Sequence, residues 1–135
     1  MTLTLRVLAP DQSIYDGSAD EVILPSASGQ MGILTGHVSM LTALDSGVVR
    51  VRDGSSWSSI AVMGGFAEVE DNAVTVLVNA AELGSNIDST AAQSSFEAAQ
   101  QAAASFEGQP ASPDKVKAQQ ALAQARARLQ ASKGA

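Results

Sequence analysis

The sequence predicts an all-β sandwich of two antiparallel sheets, about ten short strands in all, followed by a C-terminal α-helical hairpin. Two observations support this fold class. Over residues 1–84, apolar side chains alternate with polar ones in short runs that turn-forming residues separate. Over residues 85–135, apolar side chains recur every three or four residues, which is the period of a helix. We therefore expect two domains, a β-sandwich at 1–84 and an antiparallel helical hairpin at 85–135.

Alternation is clearest in three runs of the first domain, residues 3–7, 49–52 and 74–78, where Leu or Val occupies every second position. Shorter strand candidates lie at 21–24, 33–34, 40–44, 60–63 and 66–69. The pair Asp53-Gly54 favours a tight turn and predicts a hairpin between the runs on either side of it. Because no helical run intervenes, the strands are expected to pair antiparallel.

Each of the two helices has a recognisable start. Asp88 is a good N-cap for the first helix, which we expect to reach Phe106 before Gly108 ends it in a left-handed conformation. Ser112 caps the second helix, and Pro113 suits its first position. The apolar stripes are Ala92, Phe96, Ala99, Ala103 and Phe106, then Ala118, Leu122, Ala125 and Leu129. Because alanine buries little apolar area, we expect the hairpin to pack weakly on itself and on the sandwich and to undock at modest cost.

Charge is distributed unevenly along the chain. The whole sequence has a net charge of −6, yet residues 1–84 contain ten acids against three arginines, and residues 109–135 contain five bases against one acid. A basic tail on an acidic body predicts an acidic partner for the tail. Nucleic acid is not expected as a partner, since the body would repel phosphates and no aromatic residues interleave with the bases.

Enzymatic chemistry has little support in the sequence. The chain has no cysteine and a single histidine, His37, which disfavours thiolate metal sites, histidine clusters and standard triads. Neither a GxxxxGK[ST] loop nor a GxSxG elbow is present. We interpret Gly64-Gly65 as a bend where backbones crowd, and the acidic residues at 68–71 as solvated charges rather than a metal site. We expect no catalytic residue, metal or cofactor, and a soluble protein without a secretory signal or a membrane span.

An ordered series of motifs resembles the ATP synthase epsilon chain family, in particular its cyanobacterial and chloroplast branch. The series consists of EVILP at 21–25, SGQMGIL at 28–34, GH at 36–37, LTAL at 41–44, GVVRVR at 47–52, GGFAEV at 64–69 and VTVL at 74–77. Each piece alone is weakly specific, but together they cover nearly the whole chain in the family's order.

The resemblance implies a non-catalytic subunit of an F-type ATP synthase, part of the rotor that couples proton translocation to ATP synthesis. It implies that the sandwich contacts the gamma subunit and the membrane c-ring, while the hairpin reaches the alpha/beta catalytic head and inhibits ATP hydrolysis. The implied location is peripheral, on the cytoplasmic or stromal side of the thylakoid membrane, with the cytoplasmic face of a bacterial plasma membrane as the alternative. Membrane association would occur only through the complex.

The resemblance also implies a ring-facing loop. The rotor-ring contact corresponds to Ser28, Gly29, Gln30 and Met31, with His37 expected nearby. The alternative for His37 is a histidine satisfied locally inside a turn. Val and Ser follow this histidine where the family usually has Ala-Pro, which should leave the loop less rigid.

Four basic residues match in kind the family's inhibitory helix: Lys115, Lys117, Arg126 and Arg128. The two arginines are the stronger candidates because arginine forms bidentate pairs with carboxylates. A solvated helix face is the alternative interpretation.

Some family members bind ATP through an Ile/Leu-Asp-x-x-Arg-Ala motif, which corresponds to IDSTAA at 87–92. Ala91 replaces the arginine, so the phosphates would lack a charged partner. We therefore interpret Asp88 as an N-cap, at most a weak nucleotide candidate, and predict weak or absent ATP binding.

Two other classes of protein are alternatives on the residues alone. A stand-alone β-sandwich binding module with a helical oligomerisation tail would need exposed aromatic residues in a groove, for which Tyr15 and Trp57 are the candidates. A cupin-like hydrolase or isomerase would need several metal-binding histidines, and the chain has one.

Overall fold

The computed structural model describes residues 2–134, which form ten strands, a short 3-10 turn and two helices. The strands are β1 Leu3–Ala9, β2 Gln12–Ala19, β3 Glu21–Ser26, β4 Gly29–Leu34, β5 Met40–Leu44, β6 Gly47–Asp53, β7 Ser56–Val62, β8 Gly65–Glu70, β9 Ala73–Val78 and β10 Ala81–Leu83. The 3-10 turn Gly84–Asn86 leads into α1 Ser89–Ala104, and α2 is Pro113–Ser132.

The strands form one hydrogen-bonded path in the order β10-β7-β6-β3-β5-β8-β9-β1-β2, and β4 pairs with β3 beside this path. The path encloses a single core, so the predicted sandwich of about ten short strands followed by a helical hairpin is confirmed. Within residues 2–134 the pairs are antiparallel except for β1 and β9, which run parallel. The parallel pair was not predicted, because turn signals report only on strands that follow each other in the chain.

The core of the sandwich is aliphatic and tightly enclosed. Leu3, Leu5 and Val7 of β1 and Val76 of β9 are fully buried. β9 also buries Val74, and the other strands contribute Val22, Leu24, Ile33, Val49, Val51, Ile60, Val62 and Val69. Burial of a Val, Leu or Ile side chain contributes about 1.5–3 kcal/mol, so the alternating strands give the sandwich considerable cohesion.

Gly64, between β7 and β8, and Gly65, the first residue of β8, have positive φ angles of 70° and 139°. A Cβ atom on Gly65 would overlap the carbonyl oxygen of Leu77 on the neighbouring strand. The interpretation of this pair as a bend where backbones crowd is confirmed.

The helices begin at the predicted caps. Asp88 Oδ1 accepts hydrogen bonds from the backbone N–H groups of Thr90 at 2.9 Å and Ala91 at 3.2 Å. Ser112 Oγ accepts one from Lys115 N at 3.1 Å, and Pro113 occupies the first position of α2. The Asp88 carboxylate is therefore an N-cap.

The end of α1 differs from the prediction. The helix stops at Ala104 rather than Phe106, because the backbone changes from α-helical to i→i+3 hydrogen bonds. In one of these, Phe106 N donates to Ala103 O at 3.1 Å. Gly108 follows with φ of 76°, the expected left-handed conformation.

Candidate functional site

The C-terminal end of α2 lies on the outer surface of β6 and β7. Ala61 of β7 points away from the sandwich core and joins a second apolar cluster whose other buried members are Ile87, Ala92, Leu129 and Ala131. Val48, Met63 and Phe96 pack around this cluster with part of their surface exposed. Three of the five buried members are alanines, so the docked hairpin is attached to the sandwich through a small apolar area.

Gly84, in the 3-10 turn, sets how closely α2 approaches. A Cβ atom at this position would overlap the carbonyl oxygen of Ala131 and would lie 2.9 Å from the carbonyl oxygen of Ser59. The end of α2 therefore packs directly on backbone, in a space that a side chain would fill.

An ion pair joins the two domains beside this contact. Arg128 Nε donates to Glu82 Oε1 at 2.7 Å, and Arg128 Nη2 donates to Glu82 Oε2 at 3.3 Å. Glu82 lies in β10, which pairs with β7, so this ion pair links α2 to the edge of the sandwich. The hydrogen bond that Arg128 donates to Glu82 raises the pKa of the Arg128 guanidinium above its ordinary value, against the opposing effect of burial. Like any arginine, Arg128 is charged at physiological pH.

The four predicted inhibitory residues do not form one cluster. Lys115 Nζ donates to the carbonyl oxygen of Gln109 at 2.7 Å, which closes the inter-helix turn, and Lys117 is exposed. The exposed Arg126 has its guanidinium carbon 6.0 Å from the centre of the Phe96 ring. The two lysines lie near the start of α2 and the two arginines near its end, roughly 16 Å apart along the axis.

The predicted ring-facing residues lie at the turn of the β3–β4 hairpin, with Ser28 in the turn itself and Gly29, Gln30 and Met31 at the start of β4. Ser28, Gly29 and Gln30 are exposed at its tip, whereas Met31 is half-buried and packs against the core. Gly29 has φ of 125°, a conformation that favours glycine. The buried Ser26 Oγ anchors the turn with hydrogen bonds to Ser28 Oγ at 3.3 Å and to the Thr42 hydroxyl at 3.0 Å.

The expected proximity of His37 to this turn is wrong. β4 is extended from Gly29 to Leu34, which puts its two ends roughly 17 Å apart. His37 follows the far end, where the neighbouring Gly36 N donates to Asn72 Oδ1 at 2.7 Å in the β8–β9 turn. The His37 ring is bound locally, with Nδ1 2.7 Å from the carbonyl oxygen of Val38, as the alternative interpretation stated.

An outer apolar patch, formed by Leu41, Ala43, Phe66 and Leu77, was missed by sequence reasoning. Leu41 is 68% exposed, Phe66 44% and Leu77 38%. The sheet register sets Phe66 directly between Ala43 and Leu77 on adjacent strands. A signal was present in the sequence, since leucine at 41 and 77 falls in the solvent-facing phase of its strand. Contiguous exposed apolar side chains of this kind mark interaction surfaces.

The aromatic residues considered for a binding module lie near the end of α2. Trp57 stacks under the Arg50 guanidinium at 4.9 Å from the ring centre, and Tyr15 donates its hydroxyl to the Ser18 carbonyl oxygen at 3.2 Å. Both rings line a cavity with Ser132 and Lys133. Burial, reinforced by the charge of Asp53, raises the pKa of Tyr15 above its ordinary value. Because Trp57 shares this cavity with residues at the end of α2, its environment depends on the docked hairpin.

Across residues 2–134, no group of three or more His, Cys, Asp or Glu side chains is arranged to hold a metal ion. In the same part of the chain, neither helix combines the length and apolar character required to cross a membrane.

Comparison with known proteins identifies the family. The family model described as "ATP synthase, Delta/Epsilon chain, beta-sandwich domain" matches residues 2–84, and that described as "ATP synthase, Delta/Epsilon chain, long alpha-helix domain" matches residues 85–133. The ATP synthase epsilon chain of Synechococcus sp. (strain CC9902) is 70% identical over 135 residues, covering 100% of this chain and 99% of the relative. The ATP synthase epsilon chain of Prochlorococcus marinus (strain MIT 9303) is 61% identical over 133 residues, covering 98% and 100%.

Two solved structures share the fold. A chain of the Euglena gracilis mitochondrial ATP synthase, from a structure of OSCP/F1/c-ring in rotational state 1, has a TM-score of 0.79 at 22% identity and covers 98% of this chain and 81% of its own. A chain from the central stalk/c-ring of the Tetrahymena thermophila mitochondrial ATP synthase has a TM-score of 0.62 at 14% identity, covering 97% and 96%. The resemblance in the sequence motifs is thus confirmed, and the chain belongs to the ATP synthase epsilon chain family.

Proposed function

We propose that this chain is a non-catalytic rotor subunit in the central stalk of an F-type ATP synthase, where its sandwich couples proton translocation to ATP synthesis and its hairpin inhibits ATP hydrolysis. The observation that supports this most directly is the union of a cohesive sandwich with a basic hairpin attached through a small, alanine-rich contact. Such a design allows one domain to stay anchored while the other moves.

The outer apolar patch is the proposed contact for the gamma subunit. Phe66 and Leu77 form a continuous apolar surface on the sandwich, as a stable partner within a stalk would require. The Ser28–Met31 turn is the proposed c-ring contact, because its exposed glycine and amide present hydrogen-bonding groups without a charge. His37 lies at the other end of β4 and is therefore proposed to fall outside that contact.

The basic residues of α2 form the proposed inhibitory surface, with Lys115 and Arg126 on one face of the helix and Lys117 and Arg128 on the opposite face. Lys115, Lys117, Arg126 and Arg128 would face acidic segments of the alpha/beta head when the hairpin leaves the sandwich. Arg126 is exposed, and its guanidinium is available to a carboxylate with little rearrangement.

Reconstitution with an epsilon-depleted ATPase tests this function. Full-length protein should bind and lower the rate of ATP hydrolysis, while a version ending at Leu83 should bind and inhibit less. Arg126→Gln in the full chain is expected to weaken inhibition without loss of binding, and Glu70→Gln, an exposed change on β8, serves as the matched control. Equal inhibition by the full and truncated chains would contradict the proposal.

We further propose a peripheral location on the cytoplasmic or stromal side of the thylakoid membrane, with attachment only through the complex. The cyanobacterial relatives support this location, and the bacterial plasma membrane is the alternative. Fractionation should release the chain from either membrane together with the other peripheral ATPase subunits.

Nucleotide binding is proposed to be absent or weak. Asp88 Oδ1 is engaged by two backbone N–H groups, and Ala91 supplies no cation for phosphates. Titration with millimolar ATP should leave the amide NMR signals of the hairpin unshifted. Binding with micromolar affinity would contradict this expectation.

A further inference from the structure

The four basic residues of the proposed inhibitory surface are engaged very differently in the docked hairpin. Lys115 binds a carbonyl oxygen within the hairpin, and Arg126 lies near an aromatic ring of α1. Among residues 2–134, Arg128 is the one basic side chain of the hairpin that forms an ion pair with the sandwich. Docking therefore occupies a residue that inhibition would require.

We propose that Glu82 is an internal competitor for Arg128, a carboxylate on the sandwich that holds the hairpin docked by binding the same guanidinium edge that an acidic partner would bind. This inference rests on the proposed inhibitory function, and it assigns the residue that opposes that function.

The geometry makes the two interactions mutually exclusive along one edge of the guanidinium. Both carboxylate oxygens of Glu82 accept hydrogen bonds from Arg128, at 2.7 Å from Nε and 3.3 Å from Nη2. These two bonds occupy one hydrogen-bonding edge of the guanidinium. A partner's carboxylate that paired bidentately with this edge would have to displace Glu82. Arg128 must therefore leave the sandwich before it contributes fully to inhibition.

The exposure of the pair allows this exchange. The side chain of Arg128 is 33% exposed and that of Glu82 is 42% exposed, so water and an incoming carboxylate can reach both groups. A pair at this exposure contributes modestly and is weakened by salt. The ion pair can therefore favour the docked state while still allowing the hairpin to undock.

The position of Glu82 also suits this role. It precedes Gly84, the point of closest approach to α2, and the connecting segment that leads to α1. The ion pair thus joins α2 to the sandwich beside the place where a moving hairpin would have to pivot.

Breaking the pair from its two sides should have the same effect on docking and opposite effects on inhibition. Glu82→Gln frees an intact Arg128, so the hairpin should undock more and inhibit more strongly. Arg128→Gln also undocks the hairpin but removes the inhibitory guanidinium, so hydrolysis should be inhibited less.

Docking is measured on the isolated full-length chain. Trp57 is the single tryptophan and lines the same cavity as Ser132 and Lys133, so its emission reports the presence of the α2 end. Hydrogen exchange of the α2 amides gives an independent measure. Each single variant is expected to raise the undocked fraction roughly two- to fivefold, the effect of losing one partly exposed ion pair.

Two further variants sharpen the test. The charge-reversed double variant Glu82→Arg/Arg128→Glu should restore docking but not inhibition, because the hairpin then presents the wrong charge. Glu70→Gln removes an exposed carboxylate elsewhere on the sandwich and should change neither readout.

Unchanged docking in Glu82→Gln would overturn the proposal, as would inhibition that moves in the same direction in both single variants. Failure of the proposed function would look different, because the truncated chain would then inhibit as well as the full chain whatever the single variants do.

Discussion

The sandwich and the hairpin of this chain are packed by different means. In the sandwich, Leu5 and Val76 are fully buried among other large aliphatic side chains. In the hairpin, the bulky seam residues Phe96 and Leu122 are only half-buried, and Leu129 is the one large side chain of α1 and α2 that becomes buried. The sandwich thus depends on a shared core, whereas the hairpin depends on helix propensity and a narrow alanine seam.

This difference shows how one short chain can combine an anchor with a mobile element. Alanine and glutamine make α1 and α2 good helix formers, so the helices need little help from the sandwich to stay helical. The contact that docks them is small and includes one partly exposed ion pair. Release of the hairpin should therefore leave the sandwich folded.

The largest expected effect tests this contrast with matched leucine truncations. Leu5→Ala in the sandwich core should lower the free energy of unfolding by about 2–5 kcal/mol, because a fully buried side chain leaves a cavity. Leu122→Ala in the half-exposed seam should cost roughly 1 kcal/mol, since less apolar area is lost. Hydrogen exchange of the core-strand amides measures the first, and urea unfolding followed by helix circular dichroism measures the second. Similar losses in both variants would contradict the contrast.

A smaller effect is expected at the boundary between the domains. Gly84→Ala would place a Cβ atom against the Ala131 and Ser59 carbonyl oxygens, and overpacking of this kind costs about 1–3 kcal/mol. That cost falls on the docked hairpin, because moving α2 away relieves the main overlap. Hydrogen exchange should show α2 deprotected while the core strands keep their protection.

Gly32→Ala is the matched control for this variant, since its Cβ atom would meet only the Glu21 carboxylate at 3.7 Å, an ordinary contact. If Gly84→Ala leaves α2 protected, or if Gly32→Ala undocks it equally, close packing at Gly84 does not limit docking.

The parts of the fold that could be predicted are those governed by local chemistry. The buried phase of β1 and β9 follows from strict alternation, and the caps at Asp88 and Ser112 follow from their side-chain oxygens. β2 was not predicted, because Ala19 is the one buried residue among its eight and the strand gives little alternation. The short β10 likewise lacks enough residues to show a period.

The candidate site was harder to predict because it depends on contacts between distant residues. Arg128 was chosen for its charge, but its partner Glu82 lies 46 positions away and only the docked fold brings them together. Ala127 and Ala131 are buried although they fall outside the predicted seam. The reason is that α2 packs both on α1 and on the sandwich. The separation of His37 from the Ser28–Met31 turn likewise required knowing that β4 is fully extended.

The smallest expected effect would strengthen the docked state. Ser59 is 7% exposed at the surface of β7 that α2 covers, and its buried hydroxyl has no hydrogen-bond partner among residues 2–134. Ser59→Ala removes that polar group, so docking should become more favourable by about 1 kcal/mol, with slower hydrogen exchange in α2. Ser58→Ala, an exposed change one position earlier, should leave exchange unaltered. Faster exchange in Ser59→Ala would mean that the hydroxyl supports docking, and the contact would then be better matched than its alanine-rich composition indicates.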